Sequence, residues 1–270
     1  MIPAIRPVRL ADTISHRIAI SVISAITLLI ARNIYIVLMT RPRLDHIVIL
    51  LPESKSAEEL FKNAAKFKKW FTVLPGGFHT GGKSQNVLIS LEDGVYLELI
   101  AFTATPDKDQ RWGVFKPMRI VDFAFLGHPE TGKEAYLEGI PGGRGDCKWI
   151  VTVPKNEWGV GRLPFWCEDI DNSRDVRVPE PTAQPSGVKA IKKITILVDS
   201  PRQQQNLQQM YSKIIGNDEL KIGTPAGGDV SIEIKAAETS EEQNYVYHHG
   251  RGIYKVEFDI PNVVLSNDTL

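Results

Sequence analysis

From residue 44 onward, apolar segments separated by polar turns divide the chain into short strands and helices. Residues 44–51 are rich in Ile, Leu and Val and end at Pro52, a pattern that predicts a buried strand. Residues 56–70 predict a helix, because Ser56 and Glu59 have capping-box spacing and apolar side chains recur at helical intervals. The rest of this unit is predicted as a short strand, a glycine-rich turn and two longer strands, at 71–74, 75–82, 86–90 and 95–102.

The same order recurs further along the chain. Opening strands of similar pattern are predicted at 120–126 and 191–198, and the three opening strands lie roughly 75 residues apart. In the second unit a glycine-rich segment at 139–145 precedes two strands, and in the third an amphipathic helix follows the opening strand. The other strands are predicted at 148–153, 163–167, 230–236 and 253–260. The recurrence indicates an α+β protein made of three related modules.

Changes in composition divide the chain into five parts. An apolar leader that contains arginine occupies residues 1–43, and two modules occupy 44–170. A polar segment with several prolines at 171–187 predicts a linker. A third, smaller α+β module follows at 188–260, and 261–270 is predicted as a tail.

The leader has three interpretations that the sequence leaves open. Residues 18–39 are about as long as a membrane span, but Arg32 lies within them and makes insertion close to neutral in free energy. The leader is therefore a mitochondrial targeting segment, a single-pass membrane anchor, or a mis-assigned start in front of Met39. In the last case we expect residues 1–38 to be dispensable and the protein to be cytoplasmic.

Composition and charge exclude several classes of partner and cofactor. Lys plus Arg and Asp plus Glu both total 32, so the net charge is zero and nothing indicates binding to nucleic acid. The two cysteines, Cys147 and Cys167, cannot form a disulfide framework, and we expect buried, inert thiols. The glycine-rich segment at 139–145 leads into a predicted strand and not a helix, so no nucleotide cofactor is expected.

Three motifs in the first module resemble a known family. They are Leu-Asp-His46-Ile-Val-Ile, then Gly76-Gly-Phe-His79-Thr-Gly-Gly-x-x-x-Asn86, then Tyr96-Leu-Glu98-Leu-Ile. In this combination the chain resembles the glyoxalase-like domain family of the vicinal oxygen chelate superfamily. The resemblance implies repeated βαβββ modules that form curved half-barrel sheets around a pocket, with a third related module at the C-terminal end.

The resemblance also implies where a metal would bind. In metal-dependent members each module gives two ligands, one near the start of its first strand and one on its last. His46 and Glu98 occupy these positions in the first module, and imidazole and carboxylate suit Zn, Fe, Mn or Ni. The corresponding residues are Phe123 and Trp166 or a neighbour in the second module, and Lys193 and Glu233 in the third. We therefore expect a single divalent metal held by half of the usual four-ligand set.

Two functional classes stay open. In the first, the protein is an enzyme of isomerase, lyase or dioxygenase type in which His46 and Glu98 act on a small oxygenated metabolite. In the second, it is a non-catalytic protein of bleomycin-resistance type that sequesters a small molecule.

Tyr96 and Glu98 are two residues apart on one strand and share a face. The expected partners are a small-molecule ligand and a second copy of the chain in a homodimer. The residues predicted to line the ligand pocket are His79, Asn86, Tyr96, Phe123 and Trp166.

Overall fold

Strand β1, Arg43–Leu50, lies at the centre of the fold and is buried on both faces, which explains the unbroken apolar run at 47–50. The computed structural model describes residues 41–107, 110–267 and 270, so the predicted leader and its three interpretations lie almost entirely outside the described residues. Within the described part, no helix is both long enough and apolar enough to cross a bilayer.

The first module has the βαβββ order. Strand β4 pairs in parallel with β1, β3 pairs antiparallel with β4, and β2 pairs antiparallel with β3. The helix predicted over 56–70 is shorter: Ser56 caps it by accepting a hydrogen bond from the Glu59 backbone N–H, and after Asn63 it gives way to a 3-10 turn. The elements after β1 are α1, the 3-10 turn, β2, β3 and β4, at Ala57–Asn63, Ala65–Lys69, Leu74–Phe78, Ser84–Ser90 and Tyr96–Phe102.

The second module repeats this pairing without an α-helix. Its first strand, β5, pairs antiparallel with β1 and in parallel with β8, while β7 lies between β8 and β6. A 3-10 turn at Lys133–Ala135 stands where the first module has its helix. The strands β5 to β8 are Arg119–Leu126, Ile140–Arg144, Cys147–Thr152 and Phe165–Asp169.

The glycine-rich turn predicted at 75–82 overlaps the edge strand β2, and the glycine-rich segment at 139–145 contains the edge strand β6. Both strands carry the sequence Pro-Gly-Gly, and both lie against a neighbour that leaves no room for a side chain. A Cβ on Gly76 would come within 2.4 Å of the Asn86 carbonyl oxygen, and one on Gly142 within 2.6 Å of the Trp149 indole nitrogen. These glycines allow close approach of strands and not only chain reversal.

The third module is smaller. Strand β9 pairs in parallel with β11 and antiparallel with β12, and β10 continues the sheet from β11 towards the start of β1. The fold is therefore α+β with repeated βαβββ modules and a third related module, which confirms the predicted fold class. The module has seven elements: β9 (Ile191–Val198), α2 (Pro201–Ile215), β10 (Lys221–Gly223), β11 (Asp229–Ala236), α3 (Ser240–His249), β12 (Gly252–Phe258) and β13 (Val264–Ser266).

Two segments without a predicted element are ordered parts of the fold. The segment predicted as a linker, 171–187, includes a short helix at Ser173–Arg177, here called the arginine helix. The segment predicted as a tail, 261–270, adds strand β13 to β12. Next to β13, the buried Asn267 side chain accepts a hydrogen bond from the Ile120 backbone N–H at 2.6 Å, which ties this segment to β5.

A buried carboxylate joins the first module to the third, and its titration gives a testable pH dependence. Asp93 accepts hydrogen bonds from the backbone N–H groups of Val95 and Ile191, at 3.0 and 2.9 Å. Burial outweighs these bonds and raises the pKa of Asp93 to about 6. Because the native pKa lies above the unfolded one, the folded state gains relative stability as the pH falls through 6 and loses it as the pH rises.

We therefore expect the stability difference between the parent and Asp93→Asn to depend on pH. The asparagine stays neutral, so the parent should gain about 2 kcal/mol over the variant between about pH 7 and about pH 4.5. Urea unfolding of both proteins at the two pH values measures this difference. A difference that is the same at both pH values would contradict the assignment of the raised pKa to Asp93.

Candidate functional site

A cavity of about 270 Å³ lies on the concave face of the first two modules. Its volume is just below the usual range for ligand pockets of about 300–1,000 Å³, which fits a molecule of small metabolite size. The structure brings together five of the residues selected from the sequence, and all of them line this cavity: His46, His79, Asn86, Tyr96 and Glu98.

A β-bulge positions the histidine at the base of the cavity. The pairing of β1 with β5 shifts register between Leu44 and His46, and Asp45 is the extra residue. His46 Nδ1 lies 2.8 Å from an Asp45 carboxylate oxygen, so Nδ1 carries the proton and donates it. Burial lowers the pKa of His46 to about 4, and the ring is neutral at neutral pH. Its Nε2 is therefore an unprotonated acceptor that faces the cavity.

Glu98, on β4, is held as a carboxylate. Its Oε1 accepts a hydrogen bond from the Asn86 side-chain amide at 2.6 Å and lies 3.4 Å from His79 Nε2. Burial alone would raise the pKa of Glu98, but hydrogen bonding and the neighbouring histidines lower it below its ordinary value. The carboxylate is buried, with about 6 % of the residue exposed, so its charge needs these partners.

The His46 imidazole and the Glu98 carboxylate each direct a hydrogen-bond acceptor atom towards the other. His46 Nε2 lies 3.6 Å from Glu98 Oε2, and neither atom has a hydrogen donor from the described residues. Two buried acceptors at this distance repel unless a cation or a proton lies between them. Tyr96 stacks on the imidazole ring with centroids 4.7 Å apart and limits its movement.

The Asn86 amide has a defined orientation. Its Oδ1 accepts hydrogen bonds from Arg144 at 2.8 Å and from the Gly77 backbone N–H at 3.1 Å. The amide nitrogen must then face Glu98 and His79. It lies 3.2 Å from His79 Nε2. One amide side chain thus connects the glycine-rich edge strand to the carboxylate.

Arg177, on the arginine helix, holds the base of the site together. Its guanidinium binds Asp169 in a bidentate pair at 2.5 and 2.8 Å and reaches Asp45 at 3.1 Å. It also donates to the Tyr96 hydroxyl at 2.6 Å, while Arg174 forms a second ion pair with Asp45. The interpretation of 171–187 as a linker missed both arginines; the signal available in the sequence was their helical spacing of three residues.

Phe123 and Trp166 do not line the cavity, which corrects their predicted placement. Both side chains are buried in the apolar core on the opposite face of the sheet. Alternation explains the difference, because Phe165 and Cys167 flank Trp166 on β8 and line the cavity, and Ala124 next to Phe123 packs with the cavity-side cluster. The aromatic wall comes instead from Trp112, Trp149 and Phe165.

The cavity-facing cysteine is a thiol and not a nucleophile. Burial raises the pKa of Cys167 to about 12, far above the range in which a thiolate forms at neutral pH. Both cysteines are free and buried, in agreement with the prediction of inert thiols.

The third module uses the residues at its corresponding positions for ion pairs. Lys193 Nζ lies 3.5 Å from Glu233 and 2.9 Å from Glu257. These charges compensate one another on a half-exposed sheet face, so this module offers no second arrangement like that of His46 and Glu98.

Comparison with known proteins identifies the family. A family model described as a glyoxalase-like domain matches residues 44–214. The chain belongs to the glyoxalase-like domain family. This confirms the resemblance carried by the motifs around His46, His79 and Glu98. No curated protein matches this glyoxalase-like chain at a significant level.

Three solved structures resemble this glyoxalase-like protein at low sequence identity. A hypothetical protein from Staphylococcus aureus is 13% identical, with 72% of this chain and 86% of that chain covered and a TM-score of 0.45. A hypothetical protein from Bacillus halodurans C-125 is 16% identical, with coverages of 48% and 96% and a TM-score of 0.34. A triple mutant of 4-hydroxymandelate synthase from Streptomyces coelicolor is 10% identical, with coverages of 81% and 71% and a TM-score of 0.47.

The residues of this glyoxalase-like protein that would hold a divalent metal are His46 and Glu98. Their facing acceptor atoms fit a cation, and the hydrogen bond that His46 Nδ1 donates to Asp45 is of the kind that orients metal-binding histidines. Among the described residues there is no cluster of three or more His, Cys, Asp and Glu side chains suited to a metal. The described part of the chain would thus supply two ligands, with water or a ligand oxygen completing the coordination.

Proposed function

We propose that this glyoxalase-like protein is an enzyme that acts on a small oxygenated molecule, with His46 and Glu98 as the reactive pair. The observation that carries the proposal is the pair of facing acceptors, Nε2 and Oε2, which lie 3.6 Å apart on two buried residues that line the cavity. The two acceptor atoms repel each other by themselves, but a cation or a transferred proton between them would be stabilised by both. Asp45 orients the His46 ring by accepting a hydrogen bond from Nδ1, and Arg177 in turn binds Asp45.

The chemistry of the pair follows from its two unprotonated atoms. A divalent metal such as Zn, Fe, Mn or Ni, when bound here, would polarise a ligand oxygen as a Lewis acid. When no metal is bound, His46 Nε2 would instead accept a proton from a carbon next to a carbonyl group, and Asp45 would stabilise the imidazolium that results. Glu98 would add a second negative charge beside that imidazolium. Proton transfer of this kind belongs to the isomerase and lyase classes.

The second candidate is sequestration of a small molecule without reaction. The aromatic wall of Trp112, Trp149 and Phe165 favours it, because such a surface binds planar apolar groups without any chemistry. The two candidates differ in what His46 does: an enzyme needs its Nε2, whereas a binding protein needs only the shape of the cavity.

Metal binding and proton exchange test the proposal together. Calorimetric titration with Zn²⁺ and Mn²⁺, and NMR detection of deuterium incorporation from D₂O into a panel of 2-oxo acids and 2-hydroxyketones, are applied to the parent and variants. We expect His46→Ala and Glu98→Gln to weaken metal binding and slow the exchange about a hundredfold or more. His128→Ala, which removes a half-exposed histidine outside the cavity, is the matched control.

The outcomes separate the two candidates. Exchange in the parent that is lost in both variants but kept in His128→Ala supports the enzyme. Ligand binding without exchange, unchanged in His46→Ala, would favour sequestration. Metal binding and exchange equal in all four proteins would show that the pair is not the reactive centre.

A further inference from the structure

Three arginines line the cavity, and they differ in how their charge is balanced. Arg111 lies 2.7 Å from the buried Asp122 carboxylate, and Arg177 binds Asp169 in a bidentate pair. Arg144 forms no ion pair with a carboxylate among the described residues. The other two charges are therefore neutralised within the protein, whereas the charge of Arg144 is not.

The contacts of Arg144 hold it in place without neutralising it. Its guanidinium donates to the Asn86 side-chain oxygen at 2.8 Å and to the Arg177 backbone oxygen at 2.5 Å, and both acceptors are uncharged. Gly77 leaves space for it, because a Cβ at that position would lie 3.2 Å from the Arg144 Cδ. A guanidinium has five N–H donors, so donors remain for a ligand after these two contacts.

The position of Arg144 relative to the reactive pair limits the size of that ligand. Asn86 binds Arg144 through its amide oxygen and Glu98 through its amide nitrogen, so a single side-chain amide separates the guanidinium from the carboxylate. Trp149, on the strand next to that of Arg144, supplies an aromatic surface of the same cavity. A ligand whose reacting atoms contact Glu98 and His46 therefore has another of its groups, a few bonds away, next to the unpaired positive charge of Arg144.

We propose that Arg144 binds a carboxylate group of the ligand, so that the protein acts on small carboxylic acids whose reacting oxygen lies a few bonds from the carboxylate. A planar guanidinium fits a carboxylate with two parallel hydrogen bonds, and the small, partly aromatic cavity suits a compact planar acid. The inference rests on the proposed function only for the position of the reacting atoms; the binding of the anion does not depend on it.

Matched acids and amides test this inference on the metal-free full chain. The probes are acetate, benzoate and phenylacetate, each compared with its primary amide, which has a similar shape and no charge. Calorimetry or quenching of tryptophan fluorescence gives the dissociation constants. We expect at least one acid to bind the parent about tenfold or more tightly than its amide. Arg144→Gln should remove this preference, and Arg144→Lys should keep part of it.

Arg202→Gln is the matched control, because it removes the same charge from an exposed position on α2, outside the cavity lining. Thermal unfolding of each variant checks that it is folded. Equal affinity for acid and amide, absence of binding by every acid in the panel, or a preference that survives in Arg144→Gln would overturn the inference. Loss of metal binding in His46→Ala leaves this result unaffected, so failure of the proposed function and failure of the anion site are distinguishable.

Discussion

Replacing Arg177 by methionine is expected to lower the free energy of unfolding by about 3–5 kcal/mol. The arginine is 4 % exposed and contacts both Asp169 and Asp45. Methionine fills part of the same volume but leaves the Asp169 carboxylate without a cation, while Asp45 keeps its ion pair with Arg174. The cost arises from this uncompensated charge and not from lost packing alone. Urea unfolding of parent and variant measures the effect.

Two further variants identify the cause. Arg202→Met removes an exposed arginine and should change stability by less than about 0.5 kcal/mol. Adding Asp169→Asn to Arg177→Met removes the unpaired carboxylate, so the double variant should be less destabilised than the sum of the single ones. Additive losses, or an Arg177→Met variant as stable as the parent, would show that the network is not coupled in this way.

Phe123→Ala is expected to cost a similar amount, about 3–5 kcal/mol, without changing ligand binding. Phe123 is fully buried and contacts Phe125 edge-to-face at 5.9 Å, on the side of the sheet away from the cavity. Its removal leaves a void in the core, whereas the concave face keeps its shape. Chemical unfolding gives the stability, and titration with benzoate gives the affinity.

The comparison variant is Phe165→Ala, which makes the same substitution on the cavity side. Phe165 lines the cavity and contacts His46 edge-to-face at 5.3 Å. We expect this variant to weaken benzoate binding, while Phe123→Ala does not. If Phe123→Ala weakened binding as much as Phe165→Ala, the assignment of Phe123 to the core would be wrong.

The alternation and repetition of apolar residues were sufficient to predict the three opening strands and the fold class. Local pattern also placed Tyr96 and Glu98 on one face, because a strand has a period of two residues. The motifs were misleading at Phe123, which they put at the position that corresponds to His46 in the second module, although its side chain lies in the core. The bulge at Asp45 shifts the register of β1 against β5, and Ala124 pairs with His46 instead. A bulge depends on contacts between strands and has no local sequence signature.

The charged part of the site was not predictable from the first module alone. Arg144 comes from a segment noted only for its glycines, and Arg177 from one interpreted as a linker. They reach Asn86 and Asp45 over long separations in sequence. Pairings of this kind depend on how the modules fold against each other. Sequence pattern predicts which residues can carry a charge at neutral pH, but it does not give their partners.

The missing helix of the second module has a consequence for the autonomy of the repeats. Helix α2, which belongs to the third module, packs where the second module has only a 3-10 turn: the Thr131 hydroxyl donates to the Lys213 carbonyl, and Tyr211 donates to Arg162. Residues from Pro42 to Leu270 accordingly form one compact unit. The second module is thus covered by a helix that follows it in the chain, and a protein truncated before Pro201 would leave this face exposed to solvent.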